Sequence, residues 1–576
     1  MERLERKRIA GHTYYYYSKW AWVDGKCRRV WQKYLGKLDD IAKAVAGGGP
    51  APLHAEVFQW ALPVALWREC CRAEVVAHTD RLCPKRDQAL SAGQYLAIAA
   101  VNRAMCPRSK RSMWDWFSQT ALRRAFPHAG QATLASQRFW DHMDRIDRDT
   151  ALSIWKRILK GVVEREGIDL SSVSYDGTNF YTFIDTFNLS CTLAKRGKNK
   201  QGRHNLRQIN YALFCSADGH MPLFYEVYEG NRNDARQFPV MLRKFHELLT
   251  EIAGPQCPAP DTTVIFDKGN NSAENFALLD SFPFHYVGSV KLDEHKDLAQ
   301  VSNHDPTFVP CEAAELEGTK AFRVTQKVYG RERVLVVTYN QNLFNAQWLT
   351  VQQDIAKAAE KLAHLRQKLQ DRAAGLVRGG KVPTVESVKM QCGKIRSRPY
   401  MKRLIPVQVG KGRNDLPELE YAIDGDAVHA LSETYLGKNI LVTSRQAWDD
   451  ETIIQAYRSQ FIIEDVFKEM KDRTTGNWWP LGHWTNSKIQ VHGLYCTMAL
   501  LIRATLLRRV RQAGLNVSLK RVLSELDAIR EVVNIYPRTR RQKIERKQTV
   551  LTKTSEFQQE LMKILGLKKG ENGILG

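Results

Sequence analysis

Three carboxylates stand where a phosphoryl-transfer centre would need them. Asp176 closes the strand-like run VSYD, Asp267 closes TVIFD, and Glu464 lies in YRSQFIIEDVFKEMK. An aspartate leaving an apolar strand, followed at once by glycine or Lys-Gly, puts an oxygen ligand where backbone lets a substrate come close. Carboxylate oxygens suit Mg²⁺, which keeps waters and takes further ligands from substrate phosphates. Two such ions about 4 Å apart can activate one oxygen and stabilise the leaving one in an in-line transfer. Taken singly, each aspartate also reads as a turn former. Placed together on strand, strand and helix, in a chain with 86 Lys+Arg against 62 Asp+Glu, they point to metal-assisted chemistry on a polyanion.

Around Glu464 the spacing repeats. Tyr457 lies seven residues before it and Lys471 seven after, close to two helical turns each way, so the spacing predicts one helix with all three on one face. Ile463, Val466, Phe467 and Met470 would pack the other side against a core. The plainer reading of this segment is an amphipathic helix with a solvated charged face.

The rest of the chain must position these groups. At 576 residues it exceeds one core and predicts several domains. Its formal net charge is +24, and residues 501–576 hold 17 Lys+Arg against 7 Asp+Glu, including YPRTRRQKIERK at 536–547. Nucleic acid is the partner this favours. Eleven cysteines include no CxxC pair, which argues against a zinc site or a disulfide framework. The longest apolar run, LYCTMALLI at 494–502, is too short to cross a membrane, and MERLERKRIA lacks a signal-peptide core, so a cytoplasmic location is expected.

Two aromatic and β-branched runs at 12–36 meet at Asp24-Gly25 and predict a small hairpin element. AVAGGGPAPLHA at 44–55 reads as a linker, and 56–166 as a helical module with basic clusters such as Arg108, Lys110 and Arg111. From 170 the texture becomes strand-like, with a helix at ARQFPVMLRKFHELLTEIAG between the third and fourth strands, which predicts an α/β sheet. A mixed region with a long polar helix fills 292–445. His492 reads as a packed helix histidine, and Trp348, Trp478 and Trp479 as core or hinge packing, with stacking on a flipped base as the alternative role.

These residues resemble the DDE transposases of bacterial insertion sequences, in the insertion-sequence-four superfamily. That family carries Tyr, two residues, Arg, three residues, Glu, six residues, Lys; here the frame reads Tyr457, Gln460, Glu464, Lys471, with Gln460 in place of arginine and Arg458 nearby. DGTN at 176–179 is similar to the first-aspartate motif and FDKGNNSAEN at 266–275 to the second. Between them, 195–234 runs from a basic loop to a Gly-Asn-x-x-Asp turn at Gly230, Asn231 and Asp234.

The resemblance implies an α/β protein with a ribonuclease-H-like catalytic core interrupted by a β-rich insertion. The expected organisation is an N-terminal β-hairpin element and linker (1–50), a helical DNA-binding domain (51–168), core first part (169–291), β-rich insertion with a long helix (292–445), core second part (446–505) and a basic C-terminal helical segment (506–576). Asp176, Asp267 and Glu464 would be catalytic and would hold two Mg²⁺ ions, with Mn²⁺ able to substitute. DNA and phosphate contacts would come from Tyr457, Arg458, Gln460, Lys471, Lys268, Lys195, Arg196 and Arg203. Expected partners are double-stranded DNA, as terminal inverted repeats and target, and a second copy on that DNA; no membrane is expected. The implied activity is cut-and-paste strand cleavage and transfer, with a terminal hairpin as one route. A nuclease of the same fold without strand transfer and an inactive DNA-binding descendant are the competing readings.

Overall fold

The computed structural model describes residues 1–23, 25–46, 52–85, 90–253, 261–377, 379–412, 415–472, 476–479, 481–537 and 545–568. The turn residue Asp24, residues 47–51 of the linker expected at 44–55 and most of the basic run at 536–547 lie outside them. The chain divides into two compact units, Met1–Arg68 with Arg111–Ala135 and Arg509–Gly576, and Glu69–Lys110 with Ser136–Arg508.

The first unit opens with a three-stranded antiparallel sheet of Glu2–Ile9, His12–Val23 and Lys26–Gly36. The last two strands are the expected hairpin. The first was not expected, because ERLERKRI carries six charged residues in eight and lacks an alternating apolar face. A second sheet joins distant segments: His54–Gln59 pairs with Arg530–Tyr536, which pairs with Arg546–Leu551. This corrects two expectations. The segment at 56 begins as a strand rather than a helix, and the C-terminal segment expected to be helical carries two strands besides its helices Leu519–Ala528 and Glu556–Ile564. REVVNIY has β-branched content, but its partner lies more than 470 residues away, beyond any local signal.

The second unit is built on a nine-stranded mixed sheet. From edge to edge its strands are Val309–Pro310, Thr319–Val328, Arg331–Asn340, Lys438–Thr443, His285–Val290, Thr263–Phe266, Ser172–Thr182, Arg207–Ser216 and Pro222–Glu229. Ser172–Thr182, Thr263–Phe266 and His285–Val290 run parallel; every other pairing is antiparallel. The central strands are buried on both faces: VSYDGTNFYT and RQINYALFCS are almost continuously enclosed, polar residues such as Ser174, Asn179 and Asn210 included. Helix Asp234–Ala253 covers one face, with Phe245 stacked on Phe214 at a centroid distance of 4.1 Å and an interplanar angle of 10°.

The expected β-rich insertion has a different composition. Thr319–Val328, Arg331–Asn340 and Lys438–Thr443 extend the main sheet. What departs from it is mostly helical: Gln341–Ala373, Val385–Ile395, Met401–Leu404 and Gly425–Thr434, with one two-stranded hairpin of Val407–Lys411 and Pro417–Tyr421. This excursion has its own core of Val351, Leu362, Val388, Leu404, Leu419 and Leu431, with Trp348 packed on its margin. Among the described residues one helix, Asn486–Gln512, is long and apolar enough to cross a membrane, and 94% of its most apolar stretch is buried inside the protein.

Candidate active site

Asp176 was expected at a strand end and instead lies within the eleven-residue strand Ser172–Thr182. Its antiparallel neighbour continues past it, with Asp176 opposite Leu213. Its parallel neighbour does not. The last rung on that side is Tyr175 with Phe266, after which Asp267 leaves the sheet and caps the short turn Lys268–Asn270. Asp176 and Asp267 are therefore the next residues on two neighbouring parallel strands, at the carboxyl end where pairing stops and a crevice opens.

Each aspartate is oriented by its own loop. Asp176 Oδ1 accepts the Gly177 N–H at 2.7 Å, and Asp267 Oδ1 accepts the Lys268 N–H at 2.7 Å. Asp234, first residue of its helix, brings a third carboxylate: it accepts the Tyr228 hydroxyl at 3.1 Å and lies against Gly177. Gly230 explains the shape of the turn before it. A Cβ there would sit 1.9 Å from the Gln208 carbonyl oxygen, so only glycine lets the turn cross the strand. This turn and loop 198–204 border a polar cleft of about 840 Å³ lined by Asn179, Lys198, Lys200, Arg232, Asp234 and Gly269.

Burial raises the Asp176 carboxyl to about 6, with Asp234 and Asp267 adding to the rise and Lys200 and the Gly177 amide opposing it. The folded carboxyl thus holds a proton that the unfolded chain releases near 3.8. Its contribution to stability is full below about 4 and is lost as pH rises through about 6. Melting temperature in EDTA should fall over that window for the wild type, and Asp176→Asn should remove this component of the fall. Parallel pH profiles for the two proteins would refute the assignment.

The tyrosine and glutamate do not share a helix. Asp450–Arg458 ends in a turn at Ser459 and Gln460, and a new helix spans Phe461–Lys471. The seven-residue spacing therefore crosses from one helix to the next and does not put Tyr457 and Glu464 on one helix face. The second helix buries Ile462, Ile463, Val466, Phe467 and Met470 and packs on strands Ser172–Thr182 and Arg207–Ser216. Glu464 is exposed in its first turn. Tyr457 links the groups electrostatically: burial raises its hydroxyl pKa, the negative charges of Asp267 and Glu464 add to the rise, and it donates to Ser289 Oγ at 2.8 Å. Among the described residues no three His, Cys, Asp or Glu side chains cluster closely enough to hold a metal ion. The structure brings Asp176, Asp267 and Asp234 into one field and leaves Glu464 beside Tyr457.

The expected phosphate contacts divide. Lys471 donates to Thr178 Oγ1 and lies 5.7 Å from the Phe180 ring centroid; burial and the neighbouring Lys200 lower its pKa to about 8, with Asp176 opposing. Arg458 points elsewhere, donating to the Glu315 carbonyl at 2.8 Å and Thr319 Oγ1 at 2.7 Å, so it does not stand in for the arginine absent at Gln460. Gln460 sits in the turn between the helices, its amide donating to the Tyr457 carbonyl at 3.1 Å. Lys268 is exposed beside Asp267. Lys195 lines a separate cleft with Arg232 and Arg236, Arg196 donates to Thr186, and Arg203 is exposed with its amide on Asn199. The basic loop's nearest cation to Asp176 is Lys200, 4.0 Å from Oδ1 and donating to the Gly177 carbonyl at 2.6 Å. KRGKNK offered four cations, and only the fold of the loop distinguishes Lys200.

Behind the site the packing is aromatic and buried. Trp478 is fully buried and stacks on Phe180 at 4.1 Å and 13°. His492 is neutral, its pKa driven down by burial and by nearby Arg103, His483 and Lys110. Its Nε2–H donates to the Trp478 carbonyl at 2.8 Å while Nδ1 accepts from the Tyr495 hydroxyl at 2.6 Å. Trp479 packs on Tyr181, with centroids 4.8 Å apart.

Comparison with known proteins adds two findings. The family model described as the transposase DDE domain matches residues 171–502. A cryo-EM structure of the piggyBac transposase synaptic complex with hairpin DNA is similar at 9% identity and a TM-score of 0.37, covering 81% of this chain and 79% of that one. No curated protein matches.

Proposed function

The chain belongs to the transposase DDE domain family, and from that premise we propose that it is a cut-and-paste DNA transposase of the bacterial insertion-sequence-four type. It would bind the inverted ends of its element as a dimer in the cytoplasm, at the nucleoid, cut them and join them to target DNA. The observation that carries this reading is the placement of Asp176 and Asp267 side by side where parallel pairing ends. The five strands from Pro222–Glu229 to His285–Val290, three antiparallel and then two parallel, support a ribonuclease-H-like core.

The donor set fits a hard divalent cation. It consists of carboxylate oxygens, and Asp176 is enclosed beside two other acids, a charge distribution that a cation relieves. Asp176 and Asp267 would hold Mg²⁺, or Mn²⁺ in its place, and Glu464 would be the third ligand. When bound, such ions supply an activated water or 3′-hydroxyl and stabilise the leaving oxygen. The chain's own groups do the positioning. Lys200 and Lys471 flank Asp176 and would balance the charge of the scissile phosphate, Thr178 fixes the Lys471 ammonium, and Ser289 accepts the Tyr457 hydroxyl, which feels the charges of Asp267 and Glu464. Hairpin formation on the opposite strand is the proposed form of release.

The test is cleavage of a plasmid carrying the element's own ends in Mg²⁺ or Mn²⁺, with products resolved on a denaturing gel. Wild type should cut at the ends and yield joined products, while Glu464→Gln should bind and not cut. Cleavage without joining would identify a nuclease, and equal cutting by both proteins would remove Glu464 from the mechanism. Binding without cutting by either would identify an inactive descendant.

A further inference from the structure

The N-terminal sheet has two unlike faces. On one, the cations are engaged by the sheet itself. Arg3 lies 4.6 Å from the Trp20 ring centroid and Lys7 lies 5.0 Å from that of Tyr16, while Glu5 accepts the Trp20 indole N–H at 2.7 Å and pairs with Arg3 and Arg29. The strand register puts a different set on the other face. Leu4, Tyr17 and Lys33 form one cross-strand row, Glu2, Lys19 and Trp31 the next, with Arg6 and Arg8 beyond one end and Arg28 beyond the other. These side chains are exposed. Tyr17 and Trp31 meet edge to face at 6.2 Å. The acid on this face, Glu2, is taken by the Tyr17 hydroxyl at 2.5 Å and by Lys19 at 3.6 Å. Among the described residues, Arg6, Arg8, Arg28 and Lys33 make no ion pair.

Residues 1–37 carry ten Lys+Arg against three Asp+Glu. We infer that this second face is a docking surface for duplex DNA, reached through its phosphates and independent of base sequence. Seven strand residues span about 20 Å at a rise of about 3.4 Å. A duplex presents one charge per about 1.7 Å of axis, so this face runs along about twelve phosphates, a little over half a turn. Four unpaired cations arranged around a small aromatic ridge complement that surface. Single-strand binding would instead need ring faces open to successive bases, whereas here the two exposed rings are turned against each other. The inference rests on the DNA reading above and names a contact region outside the catalytic unit and outside the helical segments expected to bind the ends.

The test uses the full chain in EDTA, where no cutting occurs. Binding of a fluorophore-labelled duplex of arbitrary sequence is followed by anisotropy between about 50 and 200 mM salt. The combined variant Arg6→Gln, Arg8→Gln, Arg28→Gln, Lys33→Gln should weaken binding about tenfold or more and lower the salt slope by about three to four. In wild type, bound duplex should shield Lys19 and Lys33 from acylation, read by mass spectrometry, and leave Lys7 on the opposite face reactive. Unchanged affinity and slope, or equal labelling of Lys19 and Lys33 with and without DNA, would overturn the inference while leaving the catalytic reading intact. Selective loss of RNA binding in the variant would overturn it too. A wild type that binds no duplex would remove both readings.

Discussion

Asp176→Asn is expected to reduce strand cleavage by about a thousandfold or more, the scale reached when a group acting directly in the transition state is removed. Duplex binding in EDTA should stay within about twofold, because the substitution is nearly isosteric and leaves every cation in place. The variant should also be more stable than wild type at pH 8 without metal. The gap between 3.8 and about 6 corresponds to about 3 kcal/mol for a fully enclosed carboxylate. With 24% of the side chain exposed, about 1 to 2 kcal/mol remains. Differential scanning in EDTA and in Mg²⁺ checks both parts: the variant melts higher in EDTA and loses the Mg²⁺-dependent rise. An inactive variant that melts lower in EDTA would make Asp176 a packing residue and defeat the proposal.

Trp478→Ala is expected to cost about 3 to 5 kcal/mol of unfolding free energy, the usual penalty for emptying a large buried aromatic site. Trp478 is fully enclosed, stacked on Phe180 and edge-on to His492 at 4.9 Å and Tyr211 at 5.6 Å. Phe180 shares a strand with Asp176 and lies under the Lys471 ammonium, so the cavity would open directly behind the candidate site. Urea unfolding reads the loss, and Trp478→Phe should recover more than half of it. A loss below about 1 kcal/mol for the alanine variant would show that this packing does not hold the strand.

Much of the sheet was legible in the sequence because its strands are buried on both sides and so stand out as short apolar runs with turn residues between them. The exceptions have physical causes. ERLERKRI forms an edge strand with neither face in a core, so its charges are tolerated and the usual signal is missing. His54–Gln59 and Arg530–Tyr536 depend on one another across nearly the whole chain. Asp176 was read as a strand end because its charge interrupts an apolar run; in the fold, one neighbouring strand stops there while the other continues. The turn at Ser459 and Gln460 has no glycine or proline to announce it, so one helix was expected where two stand. Singling out the carboxylates as candidates needed only their residue types and order. Choosing Lys200 over Lys195, Arg196 and Arg203, and noticing Asp234 beside Asp176, required the loop and turn to be folded.

The helical excursion leaves the sheet after Asn340 and returns at Lys438, and the strands at its two ends are paired directly, Thr338 with Asn439 and Tyr339 with Lys438. For the growing polypeptide this shortens the search that brings the helix carrying Glu464 back to the strands that carry Asp176 and Asp267. Glu464 and Asp267 are 197 apart in sequence, but once the excursion has closed on its own core, about half that length remains free to wander. Halving a loop is worth only about 0.6 kcal/mol in closure entropy. An excursion of nearly a hundred residues is thus almost invisible to the thermodynamics of returning the chain to the sheet. Its length can therefore change with little effect on the closure of the sheet beneath it.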